Sequence, residues 1–281
     1  MIDFKIDTSK CIRCKKCVTD CPVLIIDGKT DYPEIKEGKA DNCLKCQHCL
    51  AVCPEGALSI WGYSPEDSIL SSEPTADPVQ LTNLIKLRRS VRRFKKTELD
   101  PSLINLIANN ALYAPTAKNE NSVRFSIIDN REDMNSLREA VYQCITKATS
   151  NGQIKDSLSF FSNFADVWNS KKIDVIFRNA PHLVIASAPK DASLPVVDSS
   201  IALSYFELLA NAHGIGTLWD GFALQALREI AHELKGLLGI AENHEITMVM
   251  VFGLSAVKYP RSIQSEHPEV HRIRLSDSSV N

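Results

Sequence analysis

The stretch Cys11-Ile12-Arg13-Cys14-Lys15-Lys16-Cys17-Val18-Thr19-Asp20-Cys21-Pro22 recurs 32 residues later as Cys43-Leu44-Lys45-Cys46-Gln47-His48-Cys49-Leu50-Ala51-Val52-Cys53-Pro54. Both copies have the spacing C-x2-C-x2-C-x3-C-P. A sequence repeat of this period usually marks a repeated structural unit. Two copies predict a domain with pseudo-twofold symmetry rather than a longer repeat array.

This spacing is typical of iron–sulfur ligation. Three thiolates within one short loop can surround one face of a four-iron cluster, and the fourth cysteine ligates the other cluster. The predicted ligands of the first cluster are Cys11, Cys14, Cys17 and Cys53. The predicted ligands of the second cluster are Cys21, Cys43, Cys46 and Cys49.

Two other uses of these cysteines stay open. A disulfide scaffold needs an oxidising compartment. The first ten residues contain no apolar signal core of the kind that directs a chain to such a compartment. A structural zinc site usually combines paired C-x2-C units. The ninth cysteine, Cys144, lies in a helical pattern and is predicted to be a small buried apolar residue.

The composition excludes several functional classes. A chain of 281 residues predicts two domains, and 44% hydrophobic with 23% charged residues is ordinary for globular proteins. A net charge of -2 gives no general attraction for nucleic acid or an anionic membrane. The most apolar stretch, residues 246–254, is too short to span a bilayer. We therefore expect a cytoplasmic protein that binds neither nucleic acid nor membrane.

The chain divides into residues 1–62 with the cysteines, a linker at residues 63–79 rich in proline, serine and acids, and a larger domain at residues 80–281. Strands alternating with helices predict an α/β or α+β arrangement there. Asp100 and Asp198 are predicted helix N-caps, and Gly214 is a predicted helix end. The predicted helices span residues 81–89, 101–113, 131–149, 198–213 and 223–238, and the predicted strands span residues 123–129, 182–188 and 245–253.

Three short motifs in the larger domain offer groups for an anionic or electron-rich ligand. Residues 88–94, Arg-Arg-Ser-Val-Arg-Arg-Phe, end the first helix, and Arg88 and Arg92 would share a helical face if that helix continued. Guanidinium groups suit a phosphate or a ring edge. Residues 113–121 form a loop of hydroxyl and amide side chains, and residues 258–261, Lys-Tyr-Pro-Arg, follow the last strand. Taken singly, each segment also fits a solvated turn.

In this order the motifs resemble those of the nitroreductase family of FMN-dependent oxidoreductases, while residues 1–62 resemble bacterial-type ferredoxins with two four-iron clusters. The family's Arg-Arg-Ser-x-Arg-x-Phe matches residues 88–94, and its Ala-Pro-Ser-x-x-Asn matches residues 114–119. Its Gly-Leu-Gly-Thr matches residues 214–217, a later Gly-Phe matches residues 221–222, and a closing Gly precedes Lys258 and Arg261. The resemblance implies an α+β fold, a ferredoxin-like domain fused to a flavin domain with a central, mostly antiparallel sheet flanked by helices.

The resemblance also implies the cofactors FMN and two [4Fe-4S] clusters. The residues it implies for FMN are Arg88, Arg89, Ser90, Arg92, Pro115, Thr116, Ala117, Asn119, Asp220, Gly221, Lys258 and Arg261. The loop with Pro115 and Asn119 would approach the ring from the partner subunit of a homodimer. Because Asn121, Ser122 and Val123 replace the family's Gln, Pro and Trp, the ring contacts of this loop are expected to differ.

We expect an FMN-dependent, nitroreductase-type enzyme in which a low-potential donor such as a ferredoxin reduces the clusters and the clusters reduce FMN. The expected acceptors are nitroaromatics, quinones or activated alkenes, and NAD(P)H is not expected to be the obligatory donor. A non-catalytic electron-transfer or flavin-binding protein is the alternative, and a zinc-stabilised interaction module is a further one.

No catalytic side chain is assigned. Asp220 is the only acid predicted beside the flavin, and His182, His213 and His232 are predicted to be structural. An aromatic group in the region before Pro181 is expected either to pack in the core or dimer interface or to form a lid over the flavin. Its members are Phe160, Phe161, Phe164 and Trp168.

Overall fold

The computed structural model describes residues 2–264 and 270–273. The N-terminal unit is built from short elements, with strands β1 (Phe4–Ile6), β2 (Ile26–Asp27), β3 (Glu34–Ile35) and β4 (Leu58–Ile60) and one-turn helices α1 (Lys16–Thr19) and α2 (His48–Ala51). Strand β1 pairs with β4, and β2 pairs with β3, both antiparallel.

The sequence repeat is also a structural repeat. Helices α1 and α2 occupy corresponding positions of the two copies. Left-handed backbone conformations recur at the same offset, in the pairs Arg13 and Lys45, Lys15 and Gln47, and Leu24 and Gly56. The two cysteine loops therefore have the same local backbone, as the repeated spacing predicts.

The described part of the larger domain, up to residue 264, contains one four-stranded sheet and six α-helices of varied length. Its elements are α3 (Pro78–Leu87), α4 (Pro101–Ala111), β5 (Arg124–Ile128), α5 (Arg131–Ser150), α6 (Phe160–Lys171), β6 (His182–Pro189), α7 (Pro195–Ala212), β7 (Ile215–Trp219), α8 (Gly221–Gln225) and β8 (His244–Leu254). The strand order is β5-β6-β8-β7, and every neighbouring pair is antiparallel. The predicted α+β fold with an antiparallel central sheet is confirmed.

Both faces of this sheet are covered. Leu183 and Ile185 of β6 belong to a core cluster with residues of α5 and α6, while Val184 and Ala186 belong to a cluster with residues of α4 and α7. Because successive side chains of a strand point to opposite faces, β6 is apolar at nearly every position. The core therefore lies in two layers on either side of the sheet.

Several predicted boundaries are wrong. Helix α3 begins at Pro78, capped by Asp77, and ends at Leu87, because Arg88 is already extended. Helix α7 begins at Pro195, so Asp198 lies inside its first turn and is not the N-cap. The predicted helix at residues 223–238 is three pieces, α8, a π turn at Ala226–Ile230 and a 3-10 turn at His232–Lys235.

Helix α6 and strand β7 were not predicted. The sequence of β7, Ile-Gly-Thr-Leu-Trp, is short and contains a glycine, so it lacks a strong strand pattern. Pairing with β8 and burial at four of its five positions determine the strand instead. Gly214, with φ +74, ends α7 as predicted and starts the turn into β7.

Candidate functional site

Two cavities in the N-terminal unit are each lined by four cysteines. The first is lined by Cys11, Cys14, Cys17 and Cys53 among other residues. The second is lined by Cys21, Cys43, Cys46 and Cys49 among other residues. The fold thus groups the cysteines into the two sets that the spacing predicts, with one member of each set donated by the other copy.

The grouping of the thiols matches the ligand sets of two iron–sulfur clusters. All nine cysteines are free, and none lies in a disulfide. Within residues 2–264 and 270–273, no three cysteine, histidine or acidic side chains converge closely enough to bind a single metal ion. Four sulfurs around each cavity, one of them from the other copy of the repeat, is the ligand arrangement of a two-cluster ferredoxin.

The environment of the sulfurs also fits a cluster. The backbone amide of Ala57 donates a hydrogen bond to Sγ of Cys53 at 3.2 Å. Burial raises the pKa of the Cys17 thiol, and it raises the pKa of Cys49 to about 12. Thiolates at these depths need a nearby positive charge, and bound iron would supply it.

A second candidate site is an open cleft of about 650 Å³ in the larger domain, at the end of β7. Of the predicted FMN residues, it brings together Arg92, Asp220 and Gly221. The other lining residues include Arg178, Trp219 and Phe222. A cleft with two guanidinium groups and aromatic walls suits an anionic, planar ligand.

Residues 88–95 run beside the sheet as an extended segment. The amide of Val91 donates to the carbonyl of Thr217 at 2.8 Å, and the amide of Lys95 donates to the carbonyl of Leu254 at 2.7 Å. Arg88 and Arg92 therefore do not share a helical face, because the helix ends before them. This edge pairing places Ser90 beside β7 and Arg92 at the cleft.

Glu207, on α7, orients several groups at this edge. The carboxylate of Glu207 is buried, lies 3.5 Å from Nη1 of Arg88 and accepts a hydrogen bond from Nε1 of Trp219 at 3.1 Å. It also accepts from the hydroxyl of Thr217 at 3.2 Å. Sequence reasoning missed this residue, although a single acid within the apolar segment Ser-Tyr-Phe-Glu-Leu-Leu was a usable signal.

Gly216 permits the close approach of β7 to residues 88–95, and this gives a testable prediction. A Cβ at Gly216 would lie 2.5 Å from Cγ2 of Val91. Gly216→Ala is expected to destabilise the fold by about 1–3 kcal/mol through overpacking, measured by urea unfolding. Gly236→Ala is the control, since nothing lies within 4 Å of its Cβ position and its φ is -65°. Equal stability of both variants would contradict the close packing.

The loop with Pro115, Thr116, Ala117 and Asn119 lies elsewhere in the chain. The amide of Ala117 donates to both carboxylate oxygens of Asp198 at 3.1 and 3.2 Å, so Asp198 anchors this loop. Nδ2 of Asn119 donates to the carbonyl of Leu44 at 3.0 Å, which joins the loop to the cysteine unit. Asp198 and Glu207 are nine positions apart on α7, about 13 Å along the helix axis. Within a single chain, the loop anchored by Asp198 and the cleft edge organised by Glu207 therefore lie at different points along α7.

The remaining predicted FMN residues are less well placed. Lys258 and Arg261 are exposed after β8, where the amide of Ala256 donates to the carbonyl of Arg93 at 2.9 Å. Nη2 of Arg89 is buried and has no partner among the residues described. Arg178 and Phe222 line the cleft and were not predicted to contact a ligand. Arg178 falls in none of the matched motifs, and Phe222 was matched to the family's Gly-Phe without a ligand role.

The aromatic group packs mainly in the core. Phe161 is fully buried, and Trp168 stacks on Tyr142 with ring centroids 4.6 Å apart. Phe160 and Phe164 lie 5.7 and 5.1 Å from Phe222, which lines the cleft. These contacts favour packing in the core over a lid. The aromatic group borders the cleft only through its contact with Phe222.

The three histidines considered in the sequence analysis, and Cys144, lie at packing positions or at the ends of helices rather than in the cleft. His182 is fully buried, and its Nε2 accepts a hydrogen bond from the amide of Leu99 at 3.0 Å. His213 lies at the end of α7, and His232 begins a 3-10 turn. Cys144 is only partly buried and packs against the core cluster of α5 and α6.

Comparisons with known proteins agree with this architecture. The family model described as "Nitroreductase family" matches residues 85–254, and the model "4Fe-4S dicluster domain" matches residues 3–54. A protein of Archaeoglobus fulgidus whose name gives NADH dehydrogenase/NAD(P)H nitroreductase is 26% identical over 182 residues, which cover 63% of this chain and 84% of that protein.

Among solved structures, an FMN-bound nitroreductase from Bacteroides fragilis matches with a TM-score of 0.57 and 20% sequence identity. The match covers 69% of this chain and 99% of the Bacteroides chain. One from Desulfitobacterium hafniense matches with a TM-score of 0.53 and 21% identity over 68% and 98%.

Among the helices that the structure describes, none is both long and apolar enough to cross a bilayer.

Proposed function

Because the chain belongs to the nitroreductase family, we propose that it is an FMN-dependent oxidoreductase whose electrons arrive through two [4Fe-4S] clusters held by residues 1–62. A low-potential donor such as a ferredoxin would reduce the clusters. FMN, when bound, accepts electrons singly and delivers two together to an organic acceptor. The proposed acceptors are nitroaromatics, quinones and activated alkenes.

The observation that carries this proposal is the grouping of eight cysteines around two cavities, one of which adjoins the larger domain. Leu44 lies between Cys43 and Cys46 and lines the second cavity. Its carbonyl accepts the hydrogen bond from Asn119, a residue that the family resemblance assigns to the flavin loop. This contact supports a route in which the cluster of Cys21, Cys43, Cys46 and Cys49 passes electrons to FMN.

The residues matched to the family's flavin motifs have proposed roles in holding FMN, and three of them, Arg92, Asp220 and Gly221, line the cleft. Arg88, Ser90, Arg92, Lys258 and Arg261 would bind the phosphate, the ribityl chain and the pyrimidine edge, because guanidinium and ammonium groups match phosphate and carbonyl oxygens. The backbone at Asp220 and Gly221 would face the ring. The proposal is supported by Oδ2 of Asp220, which lines the cleft and has no hydrogen-bond partner among the residues described.

A homodimer is the proposed assembly. The loop at residues 115–119 and the cleft lie apart in one chain, and a second copy could bring the loop of one subunit to the cleft of the other. Helix α3 has no buried residue, although it carries the exposed apolar side chains of Leu81, Ile85 and Leu87. Exposed apolar side chains grouped on one helix are typical of an interaction surface. Light scattering is expected to give twice the mass of the chain.

The test is anaerobic purification followed by cofactor analysis and reduction. We expect about eight irons per chain with matching acid-labile sulfide, one FMN, and bleaching of the flavin absorbance when a reduced ferredoxin is added. Multiple turnovers with a quinone or a nitroaromatic are then expected.

Three outcomes would contradict parts of the proposal. Zinc without sulfide would support the interaction-module alternative. Flavin that is reduced and reoxidised by the donor, with no turnover of any organic acceptor, would support a non-catalytic electron-transfer protein. Efficient steady-state turnover with NAD(P)H after loss of both clusters would contradict the electron route.

A further inference from the structure

Asp220 combines a defined position with an unused hydrogen-bonding group. It follows β7 directly and caps α8, where its Oδ1 accepts a hydrogen bond from the amide of Ala223 at 2.9 Å. Its own amide donates to the carbonyl of Val249 at 2.9 Å. The residue lines the cleft, is 3% exposed, and its Oδ2 is buried without a partner among the residues described.

A nearby buried carboxyl shows what a structural role looks like in the same region. Oδ2 of Asp174 accepts from Nε of Arg138 at 2.7 Å and from the amide of Asn179 at 2.9 Å. Its Oδ1 accepts from the hydroxyl of Tyr142 and from the amide of Phe177. Both oxygens of Asp174 therefore accept hydrogen bonds, whereas Oδ2 of Asp220 accepts none from the part of the chain that the structure describes.

The surroundings of Asp220 leave its carboxyl partly protonated at neutral pH. Burial raises the pKa of Asp220 to about 7, and the negative charge of Asp174 acts in the same direction. The backbone amides of Ala223 and Phe222 and the positive charge of Arg178 oppose this shift. Arg92 also lines the cleft and carries a positive charge. A carboxyl poised near neutral pH is well matched to proton transfer.

We propose that Asp220 is a general acid, which gives the proton on Oδ2 to the acceptor bound in the cleft. For a quinone, the acceptor takes up a hydride equivalent, two electrons and one proton, from the reduced cofactor. The oxygen that becomes negative then takes the proton of Asp220, and the quinone becomes a hydroquinone. Asp220 is left as a carboxylate and regains its proton from water. This assignment rests on the proposed function.

Asp220→Asn tests the proposal because asparagine is also a good N-cap, and it cannot release a proton. The turnover number with a quinone is expected to fall by about 100-fold, the lower range for general acid catalysis. In the wild type, turnover is expected to fall as the pH rises through about 7, because only the protonated form donates. This decline should be absent in Asp220→Asn. Asp100→Asn is the matched control, since Asp100 caps α4 away from the cleft and should not alter the pH profile.

Two readouts do not depend on turnover. The carbon resonance of the Asp220 carboxyl, measured by NMR on the full chain, is expected to titrate near pH 7. The contribution of Asp220 to stability should decline as the pH rises from about 4 to about 7, because its folded pKa is raised above the ordinary value of 3.8. Asp220→Asn lacks this decline, so its melting temperature relative to that of the wild type should increase over the same pH range.

The outcomes separate this inference from the proposed function. A carboxyl that titrates below pH 5 overturns the inference. So does a wild-type protein that turns over acceptors while Asp220→Asn keeps both its rate and its pH profile. A wild-type holoenzyme that turns over no acceptor overturns the proposed function and the role of Asp220 with it.

Discussion

Removal of the iron is expected to unfold residues 1–62 and to leave the four-stranded sheet of the larger domain intact. The N-terminal unit has strands of two or three residues and helices of one turn. Three of the eight buried residues in its core cluster are the cysteines Cys17, Cys21 and Cys49. A unit this small with so little apolar core usually depends on metal ligation for its stability. Without iron, buried thiols and two open cavities would remain.

Hydrogen exchange measures this effect in one sample. After chelation under reducing conditions, the amides in the β1–β4 pair are expected to lose at least about a thousandfold of their protection, equivalent to about 4 kcal/mol. The amides in the β6–β8 pair provide the internal control, because their core contains none of the eight cysteines that line the two cavities. Unchanged protection of β1 and β4 would show that the unit is stable without a metal.

A pair of variants tests the same point genetically. Cys46→Ser removes one cysteine of the second cavity, whereas Cys144→Ser removes the ninth cysteine, which lies on α5 outside both cavities. We expect Cys46→Ser to lower the iron content and to weaken the protection of β4. Cys144→Ser is expected to retain the iron of the wild type. Equal iron loss in both variants would contradict the assignment of the cysteines.

The cysteine unit could be predicted closely from its sequence because its determinants are local. The ligand sets follow from spacing, and the repeat at an offset of 32 residues reappears as repeated left-handed conformations. Its backbone has few ways to place four sulfurs around one cavity. The spacing alone therefore predicts both sets of cysteines, without any knowledge of tertiary contacts.

The cleft could be predicted only in part because tertiary contacts determine it. The sequence pattern continues a helix through Arg88, but edge pairing with Thr217 and Leu254 extends the chain there. Asp198 has the residue type of an N-cap, yet its carboxylate anchors the loop at Ala117, which is 81 residues away in sequence. Propensity patterns carry no information about such partners.

Replacing Asp174 is expected to cause the largest loss of stability in the larger domain and to disorganise the cleft. The side chain of Asp174 is fully buried, and its partner Arg138 is 5% exposed. Asp174→Ala leaves the guanidinium buried without its counter-charge, which typically costs about 3–5 kcal/mol. The measurement is urea unfolding at neutral pH. Glu139→Ala is the matched control, since Glu139 forms an exposed pair with Lys172 at 3.6 Å and should cost at most about 1 kcal/mol.

The same substitution should also affect the ligand site, because Asp174 holds the turn that carries Arg178. Arg178 and Asn179 both have left-handed backbones, with φ of 56° and 53°, and a conformation of this kind costs about 1–2 kcal/mol for each residue. The bonds from the amides of Phe177 and Asn179 to Asp174 compensate for that strain. Without them the turn should relax and withdraw Arg178 from the cleft.

FMN affinity therefore provides the second readout of Asp174→Ala. Because Arg178 is proposed to contribute to an anion-binding cleft, FMN is expected to dissociate more readily at a urea concentration where the variant is still folded. Arg178→Ala removes the same guanidinium without breaking the Arg138 pair, so it should weaken FMN binding with little loss of stability. If Arg178→Ala leaves FMN affinity unchanged, the effect of Asp174 on the cleft must pass through Ile176, which is buried in the same turn and lines the same cleft.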